Sequence, residues 1–255
     1  MPNGVPVIQN TAIKDKVGSS EMMRKYGLIA ILLAAVIILS LVSDTFLTVT
    51  NLMNVLRQVS INGILAVGMT FIILTAGIDL SIGSLMAVAA VIATSIVAND
   101  PGAVGLAMLA GVAASGLLGG VSGTMSAKLN VAPFVATLAM MTIARGIALI
   151  YTNGRPTVVN SDPFKYLGQG YIGPLPVPVV IFVAVTAIMA VVLYKTKFGR
   201  YVYAIGGNEN ASKISGIRVD RIKIWVYVIN GILAGLAGIL LASRISSGQP
   251  NSGMG

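Results

Sequence analysis

Long apolar runs separated by short polar ones set the pattern of this chain. At about 20 apolar residues per helical crossing, the runs fall at about 27–43, 61–77, 84–98, 103–126, 131–151, 178–194 and 224–242. They are continuous rather than alternating, which predicts helical spans and not barrel strands. One carboxylate interrupts the pattern. Asp79 sits in the octet GIDLSIGS, Gly77 to Ser84, near the middle of an otherwise apolar stretch from Ile61 to Ala98. That stretch offers roughly 38 residues, barely two crossings, so the octet lies either in a tight turn or inside the membrane. A charge at the centre of a spanning helix costs at least about 2.5–3.5 kcal/mol, so a carboxylate at that depth implies a use.

The run after the octet is short. From Leu85 to Ala98 it has about 14 apolar residues before Asn99-Asp100-Pro101-Gly102, less than a full crossing. A short helix preceded by Gly77, Asp79, Ser81, Gly83 and Ser84 has the half-helix pattern of transporter binding sites. Ser81 or Ser84 is placed to cap its N-terminus, with free backbone N–H groups facing a polar ligand. Asp79 then either accepts hydrogen bonds from ligand hydroxyls or holds the broken turn in shape; the pattern leaves both open.

Composition agrees with a membrane protein. Hydrophobic residues make up 56% of the 255 and charged ones 10%, against about 25% charged in soluble domains. Mean hydropathy is +0.89. With no Cys and no His, the chain lacks thiol nucleophiles, disulfides, the usual zinc ligands and a Ser-His-Asp triad, and no cofactor or metal is expected. Nor does it hold a G-x-x-x-x-G-K-[ST] phosphate loop, so it is not expected to hydrolyse ATP or to be an enzyme.

The net charge of +9 is unevenly placed. With the N-terminus in the cytoplasm, seven crossings put Lys14, Lys16, Arg24, Lys25, Lys128, Lys195, Lys197, Arg200, Lys213, Arg218, Arg221 and Lys223 on the inner side. Arg57, Arg155, Lys165 and Arg244 fall on the outer side. This positive-inside asymmetry accounts for the basic balance without nucleic acid. Arg145 is the one further charge at membrane depth, placed to snorkel or to pair internally. Basic residues before the first run imitate a signal peptide, but no A-x-A-type cleavage site follows Ser43, so an uncleaved first helix is expected.

Two further patterns matter. Gly116 and Gly120, Gly119 and Gly123, Gly231 and Gly235, and Ala234 and Gly238 are spaced four apart, allowing close approach of helix backbones. Outside the membrane, the polar stretch from Lys195 to Lys223 contains GGNENASKISGI, Gly206 to Ile217. Asn208 is a good N-cap, Glu209 suits a helix N-terminus, and Gly216 is placed to end the helix. Ala211, Ile214 and Ser215 would share one face. Alone in water so short a helix is unstable and needs a surface to dock on; a solvated basic loop is the other reading.

GIDLSIGS at 77–84, FGRYVYAIGGNENASKISGIRV at 198–219 and YVINGILAGLAGILLASRISSGQPNSGMG at 227–255 occur in this order. Together, over about residues 26–255, they resemble the membrane permeases of bacterial ABC sugar importers, closest to the ribose type that also serves xylose, galactose and autoinducer uptake. The resemblance implies an all-α integral membrane protein, a polytopic bundle of about seven spans with one or two discontinuous. Residues 1–26 would be a cytoplasmic tail and 27–255 a permease domain in the bacterial inner membrane. It implies a permease paired with a second copy, a cytoplasmic ATPase, and a periplasmic or lipid-anchored sugar-binding protein. Gly206, Gly207, Asn208, Glu209, Ala211, Ser215 and Gly216 become the ATPase coupling loop, and Gly77, Asp79, Ser81, Gly83 and Ser84 a lining or hinge of the sugar path. Members of that family usually continue beyond SGMG with further spans, so a fragment or a truncated chain is expected. The rival readings are an ion-coupled secondary transporter, with Asp79 carrying the ion, and a seven-span receptor.

Overall fold

The computed structural model describes residues 11–253 and divides between residues 52 and 53 into two compact units. Ten helices occur among the described residues. The first unit carries α1 (Thr11–Val42), whose apolar part is Tyr26–Val42. The expected tail is thus helical from Thr11 onward, and its first ten residues lie outside the described part. The division falls within the first turn of α2 (Val49–Leu74).

In the second unit follow α3 (Ile82–Asn99), α4 (Val104–Lys128), α5 (Pro133–Tyr151), α6 (Asp162–Gln169), α7 (Val177–Lys195), α8 (Lys197–Gly207), α9 (Glu209–Ile214) and α10 (Val219–Ile245). Among the described residues, α2, α3, α4, α5, α7 and α10 are long and apolar enough to cross a bilayer. With the shorter apolar part of α1 they match the seven expected runs. The fold is a polytopic all-α bundle.

Three spans differ from expectation, α10 by starting five residues before its run and stopping three after it. α2 starts twelve residues before the expected run and stops three earlier. α3 is a helix of 18 residues rather than a half-helix of about 14, because Ile82, Gly83 and Ser84 form its first turn. The discontinuity lies before it, in the non-helical residues 75–81.

α3 and α10 are the most buried spans. α4 packs against both, and α5 against α3 and α4. The α4–α10 crossing is where the glycine spacing acts: a Cβ on Gly119 would meet the carbonyl of Tyr227 at 2.5 Å, and one on Gly231 the carbonyl of Ser115 at 2.5 Å. Only the missing side chains allow this approach, which replaces hydrophobic drive with dispersion. Gly238 does the same for α10 against Met86 of α3. Beyond α5 and α10 the chain is tied by a short antiparallel pair, β1 (Thr157–Val158) with β4 (Ser247–Gly248). A hairpin of β2 (Tyr171–Ile172) and β3 (Leu175–Pro176) lies between α6 and α7. α6 is capped by the Ser161 hydroxyl and anchored by the buried Phe164, whose carbonyl accepts a bond of 2.5 Å from Ser243 Oγ.

Candidate functional site

The break between α2 and α3 is built residue by residue. α2 ends in two nested bonds, Ala76 N–H to the Ile73 carbonyl and Gly77 N–H to the Ile72 carbonyl, both 2.9 Å. This ending requires a left-handed residue, and Ala76 supplies it at φ +56°. An alanine there carries strain that glycine would not. Gly77, one position later, packs beside the Tyr227 hydroxyl, which donates to the Ile78 carbonyl at 3.3 Å.

Asp79 is 2% exposed and fully engaged. One carboxylate oxygen accepts from the Ser81 backbone N–H at 2.8 Å and the Ser81 hydroxyl at 2.6 Å. The other accepts from Asn230 Nδ2 of α10 at 2.7 Å. Asn230 lies seven residues past Lys223, about 10 Å along the axis, so the carboxylate sits against the apolar part of α10. With three donors on it, Asp79 closes the broken turn on itself and onto α10. Ser81 holds the N-cap position of α3 but makes no cap bond, because its hydroxyl goes to Asp79. Ser84 is no cap either; it lies within the first helical turn, buried, and its hydroxyl finds no partner among the described residues. Gly83 approaches Gly253 so closely that a Cβ would meet the Gly253 carbonyl at 2.5 Å. Asn230 is the member of this cluster that the sequence reading missed, and its Oδ1 is buried without a partner against Gly68.

The second site lies just before the N-terminus of α10. Asn208 caps α9, its side-chain oxygen accepting from the Ala211 N–H at 2.9 Å. Gly216, at φ +81°, ends it, with Ile217 N–H bonded to the Ser212 carbonyl and Gly216 N–H to that of Lys213. Both ends follow the sequence expectation. Ser212 is the buried residue of this turn, whereas Ala211, Ser215 and Ile214, the last 89% exposed, face outward together. Glu209 pairs with Lys213 at 2.9 Å and with Lys223 of α10 at 2.5 Å. These bonds, that to Lys223 first, hold its carboxyl below the usual carboxylate range, and the Glu209 bond raises Lys213. Gly207 has open space at its Cβ position. Gly206 does not: it lies against the carbonyl of Leu74, the last residue of α2. The predicted coupling loop therefore meets the end of α2, backbone to backbone, at the entry to the break.

The family model described as the branched-chain amino acid transport system / permease component matches residues 51–255. A ribose import permease protein of Haemophilus influenzae is 44% identical over 230 residues, 88% of this chain and 70% of its own length. One from Escherichia coli is 45% identical over 238 residues, 92% and 74% of the two chains. An L-arabinose ABC transporter permease protein of Azospirillum brasilense is 34% identical over 238 residues, 93% and 70%. No solved structure matches the chain.

Proposed function

The chain belongs to the bacterial ABC permease family that includes the ribose import permeases, and on that premise we propose that it carries ribose or a closely related monosaccharide inward. It is a multi-pass inner-membrane subunit, and ATP hydrolysis belongs to a partner. The observation that carries the sugar assignment is the identity with ribose import permeases over about nine-tenths of the chain. The assembly would hold two permease copies, a cytoplasmic ATPase and a sugar-binding protein on the outer side.

In this reading α9 is the coupling helix. Its exposed Ala211, Ile214 and Ser215 are the face an ATPase groove would receive, a helix-in-groove mode. The clamp from Glu209 to Lys223 keeps the helix on α10, and Gly206 bears on the end of α2. Motion of α9 would reach residues 75–81 by that contact. The Asp79–Ser81–Asn230 cluster would hold the break as a hinge of the sugar path, with Gly83 and Ser84 lining it and Gly77 completing the turn. The engaged carboxylate suits a hinge better than an ion carrier, which favours ATP-driven over ion-coupled transport.

The test is reconstitution in proteoliposomes with the cognate ATPase and binding protein. ATP-dependent accumulation of ribose that requires all the subunits is expected. Uphill uptake by this chain alone, or uptake driven by an ion gradient without ATP, would overturn the reading.

A further inference from the structure

Arg145 lies 12 residues into α5, a charge well inside a spanning helix. Its guanidinium donates to the Pro250 carbonyl and forms no ion pair among the described residues. A guanidinium carries five N–H donors, so most of its capacity is unspent. An ionisable group at this depth without a counter-charge points to a ligand or a pathway.

It faces a cavity of about 450 Å³ between the first turn of α3 and α5. Ser84, Thr142 and Arg145 supply polar groups there, and Leu80, Met141 and Leu149 apolar walls. The Ser84 hydroxyl is the independent observation: the residue is 1% exposed, lines this cavity, and its oxygen has no partner. A buried hydroxyl left unpaired is destabilising unless something arrives to bond it. Gly83, Gly146 and Gly253 put backbone, not side chains, on the remaining wall, which leaves room for a solute. The volume falls within the roughly 300–1,000 Å³ usual for small-molecule sites.

We propose that this cavity is a station for the sugar within the membrane, where Arg145 and Ser84 hold its hydroxyls; the proposal rests on the importer reading above. The chemistry fits a neutral monosaccharide. The planar fork of the guanidinium matches two adjacent hydroxyl oxygens, the Ser84 hydroxyl can give or take a third bond, and the apolar walls cover the C–H faces of the ring. Arg145 thus acts as a specificity-determining residue apart from the Asp79 hinge.

The chain has no cysteine of its own, so single cysteines report cleanly. Ser84→Cys and Arg145→Cys are placed separately in the complete transporter in proteoliposomes. They are treated with a hydrophilic, bilayer-impermeant methanethiosulfonate, and modification is read by mass spectrometry. Leu117→Cys, on the exposed apolar face of α4, is the unreactive control. Labelling is done during ATP turnover, because Ser84 is 1% exposed in this structure and is reached only as the pathway opens. Both site cysteines are then expected to react, and ribose at about twice its half-saturating concentration to slow them roughly threefold. Arg145→Gln should lower ribose uptake about tenfold, the loss of one charged hydrogen bond, with ATPase docking unchanged. A cysteine as inert as Leu117→Cys, or one modified at the same rate with and without ribose, overturns the station. If Arg145→Gln does not fold, the near-isosteric Ser84→Cys still decides. Absence of ribose uptake by the unmodified transporter sinks the importer reading itself, a result read in the same vesicles before any cysteine is introduced.

Discussion

Replacing Asp79 by alanine or by asparagine separates a hinge from an ion carrier. Alanine removes the acceptor for three donors, the Ser81 N–H, the Ser81 hydroxyl and Asn230 Nδ2. The Ser81 hydroxyl can rotate toward another carbonyl, but the other two donors are held by backbone and by packing. Two buried donors left unpaired, at about 1–3 kcal/mol each, give a loss on the order of 2–6 kcal/mol. For a chain of this length that lowers the melting temperature by roughly 4–24 °C. Asparagine keeps one oxygen for Ser81 and places an amino group opposite Asn230. A half-turn of the Asn230 amide then presents its now unpartnered Oδ1 to that amino group and restores the bond. The cost should stay near 1 kcal/mol. Thermal unfolding of purified protein, followed by loss of the monodisperse peak, measures both variants, and ATP-driven uptake measures function. Asp79→Asn should retain uptake within a few-fold while Asp79→Ala loses it with its stability. An Asp79→Ala protein as stable as the parent, or an Asp79→Asn protein that is stable but inactive, would refute the hinge.

Ala76→Gly relieves a left-handed alanine and should stabilise the protein by about 1 kcal/mol, seen as a higher melting temperature. Ile214→Glu puts a charge on the outward face of α9 and should abolish ATPase association in a pull-down while leaving expression and melting unchanged; Gly216→Val, at φ +81°, should weaken both. The Glu209 clamp is pH-dependent in a definite direction. Its pKa is lowered in the folded state, so its contribution is complete above the ordinary Glu value of 4.5 and is lost only as the pH falls through the depressed one. ATPase association should therefore be flat from neutral to mildly acid pH. Glu209→Gln should lower it across that range and remove any further acid-dependent loss.

Most of the spans were legible because hydropathy alone fixes them. α4, α5 and α7 start and stop within two residues of their apolar runs. The outer part of α2 was hidden by Asn51, Asn54, Arg57 and Gln58, which break the apolar window without breaking the helix. α8 went unseen among the basic residues around it, although Val202 and Ile205, three apart and both buried, carried a faint helical signal. Both ends of α9 were readable, since caps are local chemistry. The position of the break could be read from Asp79 and its glycines, but its partner could not. Asn230 follows 151 residues later, and nothing in the local pattern distinguishes it from a packing residue of a spanning helix. Arg145 likewise bonds a backbone carbonyl 105 residues on, a partner that local reasoning could not name.

The meeting of Gly206 with the Leu74 carbonyl has a mechanical consequence. A joint cushioned by long side chains absorbs small displacements through changes of rotamer before anything beyond it moves. Here peptide rests on peptide, and the joint has no slack. A shift of the inner segment by even a fraction of an ångström is delivered at full amplitude to the unwound stretch. If α9 takes up the ATPase's motion as proposed, that motion and the movement of residues 75–81 should occur as one event, with no resting stage between them.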